Sequence, residues 1–234
     1  MLLPCHDLLL GLAKTHCVVD LSARSKWVPT TSRRRHMDLY QATSCPKQRA
    51  RNVVERSMYS KVSVVASLAT VTGLLQGANP KFNHAFHRDV VTRTTVATIC
   101  QTRAKRVVVQ HDTLMHAHVA CDVVFVECQE AMICSDNRHG FLCAVHSIPS
   151  AIHTTASESV LPRANVRNSG IVAVESLLLP GVVDIVYVLH MTFPPSMAPA
   201  VCDKVMVQRL SSLRHIAAFA TPVGLRWLNA FLPR

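Results

Sequence analysis

Short runs of β-branched residues recur through the middle of the chain and constrain its fold more than any other feature of the sequence. They lie at 61–65, 90–96, 105–110 and 119–127. β-branched side chains lose rotamer freedom in a helix but pack well on a pleated sheet. Because turn-forming residues separate these runs, the sequence predicts a β-leaning region over 57–146.

The carboxy-terminal part of the chain combines two further strands with one helix. Apolar runs at 171–176 and 182–189 predict two buried strands. Asp203 is a suitable N-cap for a helix that ends at Ala220, before a Thr-Pro pair. Apolar residues at helical spacing within it are Met206, Leu210, Leu213, Ala217 and Ala220. We therefore predict a mixed α+β chain in which 171–234 holds two short strands and a C-terminal amphipathic helix.

Residues 1–56 combine an apolar amino terminus with a basic segment. Nine basic and two acidic residues between positions 24 and 56 give +7 of the formal net charge of +11. Like charges at this density oppose compaction, and Pro29 and Pro46 interrupt regular structure, so a partly disordered segment is predicted. Residues 147–170 are predicted to be a linker, because half of them are Ser, Thr, Asn, Pro or Gly.

Two basic clusters in this segment have the spacing of a bipartite nuclear-import signal. The residues concerned are Arg33, Arg34, Arg35, Lys47, Arg49 and Arg51. Concentrated positive charge also attracts phosphate backbones, so a nuclear protein that binds nucleic acid non-specifically through 24–56 is one functional hypothesis. Its partners would be nucleic acid or an import receptor. A solvated charged segment with no partner is the alternative interpretation.

Residues 62–80 carry no charge over 19 positions, which is the length of a membrane-spanning helix. Six polar residues dilute this stretch, and it ends in Pro80. We therefore expect that it does not cross a bilayer and that a membrane is not a partner. A small membrane-associated protein that uses 62–80 remains a further hypothesis.

The centre of the chain is rich in cysteine and histidine. Cys121, Cys128, Cys134 and His139 have nearly the spacing of a CCCH zinc finger, but the first and last gaps each differ from it by one residue. In a regular strand Cys121 and Cys128 point to opposite faces, because their separation is odd. We therefore predict no metal site and no cofactor, with thiols that are mostly reduced and buried in a nuclear or cytosolic protein. A mitochondrial location is the alternative.

The chain contains no recognisable catalytic motif. His87-Arg88-Asp89 has the residue order of the catalytic loop of protein kinases, but Thr94 stands where that loop requires asparagine. Glycine is also scarce, with seven residues in 234, which leaves few easy positions for tight turns. An enzyme is thus the last of the functional hypotheses, and it rests on Cys–His pairs that would meet in space and not in sequence. The first functional hypothesis is a weakly selected open reading frame whose product has no defined biochemical activity.

Overall fold

Ten strands and four helices make up the described part of the chain, which in this computed structural model comprises 27–29, 38–42, 54–102, 105–116, 119–148 and 161–225. The strands are β1 (Trp27–Pro29), β2 (Asp38–Ala42), β3 (Val54–Val65), β4 (Val90–Gln101), β5 (Lys105–His116), β6 (Val119–Ile133), β7 (His139–Ser147), β8 (Asn165–Val166), β9 (Ser169–Glu175) and β10 (Val182–Phe193). The helices are α1 (Leu68–Leu75), α2 (Pro80–Phe86), α3 (Pro199–Ser211) and α4 (Leu213–Ala220). The predicted α+β class is confirmed.

All strands belong to one antiparallel sheet with the order β1-β2-β3-β10-β9-β7-β6-β5-β4, and β8 pairs with β10. The predicted β-leaning middle supplies β3 to β7. The first long strand pairs with the last, from Val54 opposite Phe193 to Val65 opposite Val182. This pairing brings α3, which follows β10, onto one face of the sheet against β3.

The main hydrophobic core lies between this face of the sheet and the helices. α3 and α4 both pack on β3, and α4 also contacts α1 and α2. The largest fully buried side chains of this core include Phe193, Leu189, Met206, Leu210 and Ile216. Burying a side chain of this size stabilises a fold by roughly 1.5–3 kcal/mol. The apolar stripe predicted from helical spacing is thus the face that holds α3 and α4 on the sheet.

The carboxy-terminal helix differs from its prediction in two ways. It begins at Pro199 rather than after Asp203, because proline is well suited to the first turn of a helix. Asp203 lies inside α3, where its Oδ1 accepts a hydrogen bond from Arg56 Nε at 2.5 Å. The helix is also divided at Ser211 and Ser212, whose hydroxyls donate to the carbonyls of Val207 and Arg209. Such side-chain bonds to the helix backbone favour a bend.

A second apolar cluster contains Cys128 and other residues of β6, β7 and β9, whereas Cys121 belongs to the main core. Its buried members are Cys128, Met132, Cys134, Leu142, Ala144 and Val174. The odd separation of Cys121 and Cys128 therefore places them in different clusters, as predicted. Within the described ranges, no three potential metal ligands lie together.

Residues 62–80 do not form one apolar helix. They comprise the end of β3, the short helix α1 and the first residue of α2. Ser67 caps α1 by accepting from the Thr70 amide at 3.1 Å, and Asn79 caps α2 by accepting from the Phe82 amide at 3.1 Å. No helix in the described part is long and apolar enough to cross a membrane. The uncharged stretch is therefore divided between a strand and two short helices.

The structure describes three stretches of the basic segment, for which the sequence predicts partial disorder. Residues 27–29, 38–42 and 54–56 are strand residues. The ring of Tyr40 in β2 stacks on that of Tyr59 in β3, with centroids 4.5 Å apart. Sheet pairing and ring stacking thus offset the local charge. The six basic residues of the predicted import signal lie outside the described residues.

Candidate ligand-binding cavity

A cavity of about 330 Å³ lies between the sheet and the helices. Its wall is built from β4, β5, β6, β7, β8, β9 and β10 together with side chains of α1, α2 and α3. The volume falls at the lower end of the range for small-molecule sites, roughly 300–1,000 Å³. Because sheet residues alternate between faces, each long strand contributes every second side chain to this space.

One side of the cavity is apolar. Phe82 and Phe86 reach it from α2, and Phe125, Ile171 and Leu189 reach it from β6, β9 and β10. The rings of Phe82 and Phe86 stack with their centroids 5.0 Å apart. Such a wall favours an apolar ligand surface because contact removes both surfaces from water.

The other side of the cavity is polar, although it is also buried. Gln110 and Asp112 alternate on β5, and Glu127 and Gln129 alternate on β6, with exposed fractions of 3%, 1%, 7% and 4%. A buried polar group without a partner costs free energy, so each of these side chains requires one. The cavity is therefore amphipathic, with a polar wall formed by side chains of β4 to β6 and an apolar wall formed by side chains of α2, β6, β9 and β10.

Arg93 holds the polar wall together. Its Nε and Nη2 donate to the two carboxylate oxygens of Asp112 at 2.8 and 2.6 Å. Its Nη1 lies 3.2 Å from Nε2 of His87. Because a guanidinium only donates, His87 Nε2 is the acceptor and the imidazole is neutral. Burial, together with the positive charges of Arg93 and Arg209, lowers the pKa of His87 well below its usual value.

This lowered pKa predicts an acid-dependent loss of stability. The unfolded chain binds a proton at His87 near pH 6.5, whereas the folded chain resists it, so the stabilisation is present above about pH 6.5 and is lost as the pH falls. We expect His87→Asn to remove up to about 1.4 kcal/mol per pH unit from the slope of unfolding free energy between pH 6.5 and 5. Urea denaturation across this range measures the slope. His84→Asn, an exposed change in the helix that ends just before His87, should leave the wild-type slope, and an unchanged slope in His87→Asn would contradict the assignment.

Gln129 lines the cavity and carries a buried acceptor that makes no hydrogen bond to a described residue. Its Nε2 donates to Glu127 Oε1 at 2.8 Å, and Arg106 Nη1 lies 3.9 Å from that oxygen. Its own Oε1 has no hydrogen-bond partner among the described residues. Burial raises the pKa of Glu127, and Arg93 and Arg106 oppose this change. A buried acceptor without a donor costs about 1–3 kcal/mol, which a donor on a ligand would recover.

Arg209 closes the cavity from the side of α3. Its Nε donates to Asp89 Oδ2 at 2.5 Å, and the two side chains are only 13% and 5% exposed. Tyr187 also lines the cavity, and burial raises its pKa to about 12. The phenol is therefore protonated at neutral pH, and a carboxylate compensates the buried guanidinium.

Sequence reasoning did not find this site. The cavity residues come from ten separate elements, so they form no motif in the sequence. The triplet 87–89 has the residue order of a kinase signature, and that order gives no indication of a cavity. One signal was present in the sequence: Gln110 and Asp112, and likewise Glu127 and Gln129, occupy alternate positions in valine-rich strands. Polar residues with this spacing share one face of a strand. Buried pairs of this kind often mark functional sites.

The described fold is similar to that of StAR-related lipid-transfer domains. The human StarD13 (DLC2) lipid transfer and protein localization domain aligns with a TM-score of 0.61 and 16% identity over 92% of this chain and 98% of that chain. Human StAR-related lipid transfer protein 5 aligns with a TM-score of 0.63 and 10% identity over 92% and 94%. A STAR-related lipid transfer protein from Xanthomonas axonopodis gives 0.57 and 13% over 82% and 97%. No family model and no curated protein matches the sequence. At these identities the likeness establishes a shared fold.

This likeness corrects the functional hypotheses drawn from the sequence. The hypothesis of a product without defined activity is wrong, and so is that of a nuclear protein that binds nucleic acid non-specifically. The described chain instead has the fold of lipid-transfer domains and encloses an amphipathic cavity. The six basic residues of the import signal lie outside the described residues, so this signal and its import receptor stay a prediction.

Proposed function

We propose that this protein binds a single lipid molecule in the cavity between its sheet and its helices. The observation that carries the proposal is the buried amphipathic cavity itself, in a fold shared with StAR-related lipid-transfer domains. A lipid matches both walls because it joins a large apolar body to a small polar group. The modest volume of about 330 Å³ favours one acyl chain or one fused ring system over a two-chain phospholipid.

The polar wall supports a ligand whose polar group donates a hydrogen bond. Asp112 is bound by Arg93 and Glu127 by Gln129, whereas Oε1 of Gln129 is buried and has no hydrogen-bond partner among the described residues. A hydroxyl or protonated amine satisfies this oxygen, whereas a carbonyl does not. We expect an alcohol to bind about tenfold more tightly than the matching ketone, because the ketone leaves the buried acceptor unpaired.

The test compares two neighbouring threonines of β4. Both are exposed, but Thr95 lines the cavity and its hydroxyl donates to Gln110 Oε1 at 3.2 Å, whereas Thr94 does not line the cavity. Thr95→Trp places an indole in the ligand space, and we expect it to weaken binding of a fluorescent sterol alcohol at least tenfold. Fluorescence titration measures the affinity.

Thr94→Trp is the matched control, since it adds the same side chain to the same strand outside the cavity. It should keep wild-type affinity, and both variants should melt cooperatively. Native mass spectrometry of the chain after incubation with a lipid extract provides a readout that does not depend on the chosen sterol. Equal binding by both tryptophan variants, or no retained lipid in the wild type, would exclude the cavity as a ligand site.

A further inference from the structure

A second concave surface lies on the outer side of the helices. This groove, of about 640 Å³, is bounded by the end of α2 and by one side of α3 and α4, and we name it the α3–α4 groove. Lys204, Gln208, Ser211 and His215 line it at intervals of three or four residues, which is the spacing of one helix face. Phe86 borders both the groove and the interior cavity.

The charges that line the groove are unbalanced. Arg88, Lys204 and Arg214 are exposed and form no ion pair with another described residue. The two acids of the groove are already engaged, since Asp89 binds Arg209 and Asp203 binds Arg56, each at 2.5 Å. The groove therefore presents three uncompensated cations and no free carboxylate.

The positive potential of these cations converges on His215. Burial lowers the pKa of His215, and the positive charges of Arg214 and Arg88 lower it further. Arg88 lies two residues after the end of α2 and Arg214 lies at the start of α4, so two cations from different parts of the chain act on the same point of the groove. Convergent cations around a concave surface hold an anion more strongly than cations dispersed over a convex one.

We propose that the α3–α4 groove binds a phosphate group, carried either by an anionic lipid head group at a membrane surface or by a soluble phosphorylated compound. Arginine suits this ligand because its planar guanidinium binds two phosphate oxygens at once, and lysine adds a point charge. The side chain of Gln208 supplies a neutral donor on the same helix face. This site is separate from the interior cavity, so it does not depend on the lipid proposed there.

The test removes the three cations together from the full chain. Each cation near an anionic surface contributes about fivefold to binding, so R88Q/K204Q/R214Q is expected to bind about a hundredfold more weakly than the wild type. The matched control is K61Q/K81Q/R167Q, which removes the same charge from outside the groove. The basic segment 24–56 is the same in both variants and contributes equally to both.

Two probes distinguish the source of the phosphate. Inorganic phosphate is titrated by calorimetry, and vesicles of phosphatidylcholine with or without phosphatidic acid are tested by co-sedimentation. Binding of the acidic vesicles that is lost only in the groove variant identifies a lipid head group. Binding of inorganic phosphate without vesicle binding, lost in the same variant, identifies a soluble ligand. Equal loss in both triple variants, or no binding of either probe by the wild type, would overturn the proposal.

Discussion

Asp89→Ala is expected to lower the free energy of unfolding by about 3–5 kcal/mol, because it leaves the charge of Arg209 buried without a partner. The carboxylate is 5% exposed and the guanidinium 13%, and they meet at 2.5 Å between the interior cavity and the α3–α4 groove. Water cannot replace the missing carboxylate at so little exposure. Urea denaturation at neutral pH measures the loss.

Two further variants show whether the loss comes from the unpaired charge. Asp89→Leu combined with Arg209→Met removes both charges, and we expect it to recover most of the lost stability, since an apolar pair often replaces a buried ion pair without cost. Lys105→Met removes one member of the more exposed pair with Glu130, whose atoms are 3.4 Å apart, and should cost no more than about 1 kcal/mol. A similar loss in Lys105→Met and Asp89→Ala would contradict the explanation.

Gly170→Ala is expected to destabilise the fold by about 3 kcal/mol, because a methyl group at this position meets backbone atoms. Gly170 lies in β9 between β7 and β10, opposite Ala144 and Val188. A Cβ there would stand 2.3 Å from the carbonyl oxygen of Cys143 and 3.0 Å from the Cα of Ala144. Backbone in the middle of a sheet cannot retreat without loss of pairing on both sides, so the overpacking cost is at the upper end of its usual range.

Gly73→Ala is the matched control, since it makes the same change at a position without this constraint. Gly73 lies inside α1, and nothing stands within 4 Å of a Cβ built there. Alanine is the better helix former by about 0.5–1 kcal/mol, so this variant should be more stable than the wild type. Thermal melts followed by circular dichroism compare the two. If both substitutions shift the melting temperature in the same direction, close backbone approach at Gly170 is not the cause.

The local sequence pattern predicts the helices and strands well where tertiary packing favours the same structure. The β-branched runs at 90–96 and 105–110 lie in β4 and β5, and the helical spacing from Met206 to Ala220 describes the buried face of α3 and α4. The same reasoning predicts a partly disordered segment over 24–56 and identifies no strand at 38–42. Pairing with β3 and the stacking of Tyr40 on Tyr59 order that strand, and neither contact is visible in a short window of sequence.

The candidate site cannot be predicted from the local sequence pattern either, because its residues are distant from one another in the sequence. The Arg209–Asp89 pair joins residues 120 positions apart, and Arg56–Asp203 joins residues 147 apart. Nothing in either neighbourhood specifies the partner, because the partner depends on which strands become neighbours. The pairing of β3 with β10 determines which strands become neighbours, and it thereby also determines how the cavity is enclosed.

The sequence by itself determined the α+β class, the tendency of 57–146 towards strands, the amphipathic carboxy-terminal helix and the placement of Cys121 and Cys128 in different clusters. These properties follow from side-chain period and β-branching, which act within a few residues. Only the tertiary structure decided the strand order, the partners of the buried charges and the existence of two concave surfaces. Those features depend on contacts between residues distant in sequence. The burial of apolar faces drives the formation of these contacts, and many alternative strand pairings would also bury those faces.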